Sequence, residues 1–373
     1  MRILIVSAKY APVHNSLCRA IGEPLRAQGN EISYLLPESA RWLVPESQLD
    51  HSYFIGNSQN PSQVFMDTIA AWSYRRSLYN KMLRRLQPNL VIFESVHPLN
   101  ELLARECASL VPSPRLWLLF HEPYVQEKWK HGGLRQFVIS MHELVAKRLL
   151  PLLDGVLLPS KEAELQMQDA YSDFEGSLVR LPLLFEDRSK VQPLERRYFS
   201  FIGSAVPAKG INQFMELIEI SVDSGNAWEF QIATSSELSR YLTNLSPLAR
   251  KRLRVISKMQ LCDEDIDRAI RSSWAILAPY RRVTQSGVIP VAFMHGTPVI
   301  STNSGGMPEF VIPGETGYLV SQDCAFSEWE AYFQLVQLNF ERLSETCRRF
   351  FLENFDAKRA PEYLKPILDS IVS

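Results

Sequence analysis

A chain of 373 residues with 46% hydrophobic and 22% charged side chains has the composition of a soluble globular protein, long enough for about two domains that each bury a core. Its 40 basic and 41 acidic side chains leave a formal net charge of -1, which supplies no general attraction to nucleic acid. The five cysteines, Cys18, Cys107, Cys262, Cys324 and Cys347, have neither metal-ligand spacing nor the pattern of a disulfide framework, so a reducing cytoplasm is expected.

The opening MRILIVSAKY has too short an apolar run for a signal peptide or a membrane span, and it predicts a buried first strand at Ile3 to Ser7. Further strands are expected at Glu31 to Leu36, Leu90 to Phe93, Leu116 to Phe120 and Gly155 to Leu158, with helical patterns between most of them. His97, in SVHPLN after the third of these runs, reads as a structural histidine. His121 closes the run LWLLF, where its side chain could face a cleft, and Glu122 is the neighbour that could orient it. The segment 128–148, KWKHGGLRQFVISMHELVAKR, mixes basic residues with Trp129 and Phe137. It fits a solvated helix better than a surface docked on an anionic membrane.

Residues 184–197, LFEDRSKVQPLERR, are rich in charge and carry one proline, which suggests a linker. A second series of strands follows at Tyr198 to Ile202, Glu229 to Ala233, Arg254 to Ile256, Ala275 to Ala278 and Pro298 to Ser301. The expected organisation is an N-terminal domain at 1–183, the linker at 184–197, a second domain at 198–360, and a C-terminal helix within 361–373 that returns to the first domain. Alternating strands and helices predict two doubly wound, Rossmann-like α/β domains facing across a cleft, with ligands beyond the carboxyl ends of the strands.

Two anion-site candidates fall in the second domain. The first is Gly203-Ser204-Ala205-Val206-Pro207-Ala208-Lys209-Gly210, a strand-to-helix loop in which Lys209 could neutralise a diphosphate, including charge growing on a departing one. The second lies within 277–320, where Gln285-Ser286-Gly287 opens a short apolar helix. Helix-start N–H groups lack intrahelical partners and favour phosphate, and Gly287 would let the backbone approach closely. Gly305 and Gly306 mark a further turn of the same cleft. Asp263-Glu264-Asp265 reads as a helix start rather than a metal site. No GxGxxG follows the first strand, and neither GxxxxGK[ST] nor GxSxG occurs, so dinucleotide, triphosphatase and hydrolase-elbow chemistries lack their fingerprints.

The ordered set Gly203…Lys209-Gly210, Pro279-Tyr280…Thr284-Gln285-Ser286-Gly287, Gly296-Thr297-Pro298, Gly305-Gly306-Met307-Pro308-Glu309 and Gly314-Glu315-Thr316-Gly317 resembles the donor domain of family 4 retaining glycosyltransferases with the GT-B fold. Pro88 to Ile92 and Trp117 to Glu122 are similar to the family's strands before its acceptor-side histidine, which falls on His121. The chain departs from the family at Ser204, where an arginine is usual. It departs again at Val283 and Val291, where paired glutamates are usual, and in the loop Tyr10 to Ser16, which lacks a glycine pair. It resembles instead a Thr-Gln-Ser-Gly branch, with Gln285 and Ser286 as polar substitutes and Arg281 or Arg282 in place of the missing guanidinium.

The resemblance implies a retaining glycosyltransferase that moves a sugar from a nucleotide-diphosphate donor, a UDP-sugar by family frequency, to a hydroxyl of a glycan or lipid-linked acceptor. His121 and Lys209 would serve catalysis, and Ser204, Lys209, Arg281, Gln285, Ser286, Gly287, Gly305 and Gly306 would hold the donor. Neither cofactor nor metal is implied. The expected location is the cytoplasm, with peripheral contact at the inner membrane face left open. The competing class is a noncatalytic glycan- or nucleotide-binding subunit of the same fold, and a sugar-nucleotide epimerase stands third.

Overall fold

The computed structural model describes residues 1–8, 12–44, 49, 52–55, 76–123, 134–189 and 194–372. The chain divides into two compact units, the first formed by Met1–Glu186 and Ala357–Ser373, the second by Asp187–Asp356. The stretch 184–197 is therefore divided, with its residues from Asp187 onward belonging to the second unit.

In the first unit, strands β1 (Arg2–Val6), β2 (Glu31–Pro37), β3 (Ser52–Ile55), β4 (Leu90–Phe93), β5 (Arg115–Leu119), β6 (Gly155–Leu158) and β7 (Ser177–Arg180) form one sheet. The helices are α1 (Pro12–Ala27), α2 (76–86), α3 (Pro98–Cys107), α4 (Leu134–Leu149) and α5 (Lys161–Ala170). All strands run parallel in the order β3-β2-β1-β4-β5-β6-β7, so the direction of winding reverses between β1 and β4. Strands buried on both faces need apolar side chains in both directions. On β1, Leu4 and Val6 enter one core together with Val91 and Phe93, while Ile3 and Ile5 enter the opposite core with Leu90 and Ile92.

The second unit repeats the design with β8 (Tyr198–Ile202), β9 (Glu229–Thr234), β10 (Leu253–Ser257), β11 (Ser273–Ala278), β12 (Val299–Thr302) and β13 (Gly317–Val320). Its parallel sheet has the order β10-β9-β8-β11-β12-β13, reversing between β8 and β11. Helices α6 (Ile211–Asp223), α7 (Ser239–Thr243), α8 (Pro247–Arg252), α9 (Asp263–Arg271), α10 (Val288–Met294), α11 (Phe326–Leu338) and α12 (Phe340–Asn354) accompany it. Its core is aromatic, with Phe333 of α11 stacked on Phe199 and meeting Phe230 and Trp228 edge-on. The last helix, α13 (Ala360–Val372), inserts Ala360, Leu364 and Ile367 into the first unit's core beside Ile3 and Ile5.

Residues 187–197 are tied to the second unit by arginines. Arg188 makes paired hydrogen bonds to Asp267 at 2.7 and 2.9 Å. Arg196 is largely buried and donates to the carbonyls of Ile270, Ser273 and His295, a position in which burial pulls its guanidinium down to about 10. Among the described residues no helix is long and apolar enough to cross a membrane.

Candidate functional site

In doubly wound sheets the crevice opens where the winding reverses, beyond the carboxyl ends of the strands. In the second unit this point lies between β8 and β11, and the loops following β8, β11, β12 and β13 are locked together there. Gly210, after β8, has φ +71°, and a Cβ built on it would overlap the carbonyl oxygen of Pro279, after β11. Arg281 N donates to Ala208 O at 3.0 Å across the same contact. The Arg281 carbonyl then accepts from Ser304 Oγ at 2.8 Å and from Gln322 Nε2 at 2.7 Å, which brings in the loops after β12 and β13. Gly305, at φ +52°, would place a Cβ on the Val283 carbonyl, which accepts from Gly306 N at 3.0 Å. Only glycine combines left-handed backbone with this approach.

On this base sit the charged and polar groups. Lys209, half-buried, holds Nζ 5.8 Å from the centre of the Tyr280 ring. Tyr280 is 2% exposed, and its hydroxyl lies 3.1 Å from Ser286 Oγ. A Cβ on Gly203 would fall 3.8 Å from Lys209 Nζ and 3.7 Å from Val288 Cγ2, so the lysine loop and the start of α10 are immediate neighbours. The two anion-site candidates thus form one patch, with Tyr280 between them.

Other expected residues stand differently. Ser204 and Arg281 are exposed, and the part of Arg281 with partners in this base is its backbone. Gln285 is half-buried and Ser286 buried. Gly305 is exposed and Gly306 buried in the turn described above. The helix begins at Val288, so Gln285 and Ser286 precede it, and Gly287 is its N-cap with φ -64°. That backbone is one any residue adopts, so the role expected of Gly287 is close approach to a ligand and not backbone conformation. Val291 is buried inside α10, and Val283 contributes its carbonyl. Asp263, Glu264 and Asp265 open α9, where Lys258 pairs with Asp265 and Arg268 with Glu264. Among the described residues no group of three or more acidic, histidine or cysteine side chains could hold a metal ion.

In the first unit the winding reverses between β1 and β4, and polar residues follow three strands there: Ser7 after β1, Glu94 after β4, and His121 just beyond β5. His121 Nε2 lies 2.9 Å from Glu94 Oε1, and Ser7 Oγ donates to Glu94 Oε2 at 3.2 Å. The residue expected to orient His121 was Glu122, but that side chain is exposed; the oriented contact is to Glu94, which sheet pairing rather than chain proximity brings alongside. His97 caps α3, its Nδ1 accepting from Leu99 N at 3.1 Å. Residues 9–11 of the loop after β1, residues 124–133, and the side chains of 134–139, including Arg135 and Phe137, lie outside the described residues. Of the basic residues expected on that segment, Arg148 pairs with Glu101 of α3.

Comparison with known proteins bears on this arrangement. Residues 196–334, most of the second unit, match the family model described as glycosyl transferases group 1. The whole chain has the fold of solved glycosyltransferases. A sucrose-phosphate synthase from Thermosynechococcus elongatus superposes with a TM-score of 0.70 at 15% identity, covering 99% of this chain and 98% of that one. A glycosyltransferase from Rickettsia africae gives 0.67 at 13%, covering 100% and 98%. Anabaena HepE in complex with UDP-glucose gives 0.66 at 13%, covering 99% of each. No curated protein sequence matches. These findings give the chain the GT-B fold, with a glycosyltransferase family match confined to its second unit. That match lies on the unit that carries Lys209 and Tyr280.

Proposed function

We propose that this protein is a glycosyltransferase that takes a nucleotide-sugar donor, a UDP-sugar, and transfers the sugar with retention of configuration to a hydroxyl of a glycan or lipid-linked acceptor in polysaccharide or glycolipid synthesis. The observation that carries the reading is the meeting of the Lys209 loop with the Ser286-Gly287 turn through Tyr280. A lysine cation beside helix-start N–H groups, on a base fixed by backbone contacts, suits a diphosphate whose charge grows as it departs. HepE, of the same fold, is known in complex with UDP and with UDP-glucose, which supports uridine as the base. Ser204, Arg281, Gln285, Gly305 and Gly306 would line the donor, and His121 of the first unit would serve the transfer. Positioning and charge stabilisation, with no metal in the role, would supply most of the catalysis. A cytoplasmic place of action, with contact at the inner membrane face, belongs to the same proposal, because a nucleotide sugar and a lipid-linked acceptor can meet there.

The test is calorimetric titration of UDP and uridine against the wild type and Lys209→Ala. UDP should lose about 1.5–3 kcal/mol, the size of a charge-assisted contact, while uridine is unaffected. Equal, small changes for both ligands would reject the site. A protein that binds UDP-sugars from a panel but releases UDP from none would instead be the noncatalytic subunit.

A further inference from the structure

Glu94 is 2% exposed at the point where the first sheet reverses its winding. A buried carboxylate is costly unless donors meet its oxygens. Here both oxygens are engaged, Oε1 with His121 Nε2 at 2.9 Å and Oε2 with Ser7 Oγ at 3.2 Å. Ser7 Oγ in turn accepts from Asn15 Nδ2 of α1 at 2.8 Å, and Ser7 and Asn15 are both fully buried. The donor inventory fixes the direction of this line. An amide nitrogen only donates, so Asn15 gives to Ser7, and the single hydroxyl proton of Ser7 goes on to Glu94. With Glu94 ionised, a state in which a carboxylate only accepts, the proton between Glu94 and His121 sits on Nε2.

We propose that Glu94 is the positioning residue of His121: it fixes the ring's orientation and commits a proton to Nε2, with Ser7 and Asn15 holding the carboxylate in place. This rests on the reading of His121 as a group that serves transfer, and adds what sets the state of its ring. A neutral ring held this way carries its lone pair on Nδ1, and a ring that takes up a proton is stabilised by the carboxylate. A network that merely tied the ends of β1, β4 and β5 together would leave ring protonation and turnover indifferent to Glu94.

The experiment uses the full chain with UDP and UDP-glucose as probes, comparing wild type, Glu94→Leu, Glu94→Asp and Ser7→Ala. Nitrogen-15 shifts of the His121 ring at fixed pH should report the Nε2-protonated form in the wild type and a mixture of tautomers in Glu94→Leu. UDP release should fall about 10- to 100-fold in Glu94→Leu while UDP affinity stays within about twofold, and Glu94→Asp should recover part of both signals. Unchanged tautomer or unchanged turnover in Glu94→Leu overturns the proposal. Should Glu94→Leu not fold, Ser7→Ala decides, since it weakens the hold on Oε2 and leaves the carboxylate: an intermediate loss of turnover is expected, and no loss sinks the idea. A wild-type chain that neither binds UDP nor releases it would defeat the functional reading instead. The tautomer measurement, which needs no ligand, would still uphold or overturn the role of Glu94.

Discussion

Arg348 and Asp187, 161 positions apart, face each other with two guanidinium–carboxylate hydrogen bonds, so that the first residue of the second unit is clamped by its last long helix, α12. Arg348 also donates to the Met294 carbonyl at the end of α10, at 3.1 Å. Burial opposes the charge on Asp187, but the bonds from Arg348 and Ser189 outweigh it and hold the carboxyl down to about 2, below its usual 3.8.

A carboxyl whose folded pKa is depressed contributes stability above its unfolded pKa and loses it as pH falls through the folded one. The contribution of Asp187 is therefore complete above about pH 4 and drains away between about pH 4 and 2. The pair is partly open to solvent, so roughly 1 kcal/mol is the expected size after screening. Urea midpoints measured from pH 5 downward should fall less steeply for Asp187→Asn than for the wild type. Parallel curves would show that the pair contributes nothing.

Gly210→Ala meets both an unfavourable backbone and an occupied space, the Pro279 carbonyl. A loss of about 2 kcal/mol or more is expected in chemical denaturation, because relieving the overlap means separating the loops after β8 and β11. Gly225→Ala is the control: its φ is also positive, but nothing lies within 4 Å of a built Cβ. Similar losses at the two positions would mean that the loop contact is not what glycine serves at 210.

Gly287 has ordinary helical backbone, so Gly287→Val should fold. Its effect on UDP binding then reports only how closely phosphate approaches, and a strong reduction is expected. Ser286→Ala should weaken UDP binding less, since the helix-start N–H groups remain, while costing about 1 kcal/mol of stability through the lost partner of Tyr280. Unchanged UDP affinity in a folded Gly287→Val would remove the diphosphate from this turn.

His121→Ala should lower the rate of UDP release by more than it weakens UDP binding. A purely architectural histidine gives another pattern, in which melting temperature, binding and turnover decline together, so paired melting and kinetic data separate the two.

Ten of the thirteen described strands were legible as apolar runs, and the three that were not are four residues long and lie at sheet edges. Strands β3 and β7 edge the first sheet and β13 the second, whose other edge strand, β10, is longer and was read from Arg254 to Ile256. Ser177–Arg180 is exposed at both ends, Ser52–Ile55 is half-buried over three of four residues, and Gly317–Val320 begins with a glycine pressed on the Val299 carbonyl. The phosphate-side loops could be read because glycines mark them locally. Glu94 could not, because its link to His121 follows from the pairing of β4 with β5. A signal was nevertheless present: a lone carboxylate directly abutting LVIF is a charge at the lip of a fully buried strand.

The backbone hydrogen bond from Ala357 N to Phe185 O, at 2.9 Å, joins the place where the chain leaves the first unit to the place where it re-enters. The second unit is thus an insertion spliced into the first through one doorway. During synthesis Ala360–Val372 is made only after all of Asp187–Asp356, so α1 waits for its covering helix while the inserted unit can already be complete. The half that begins first is the half that finishes last.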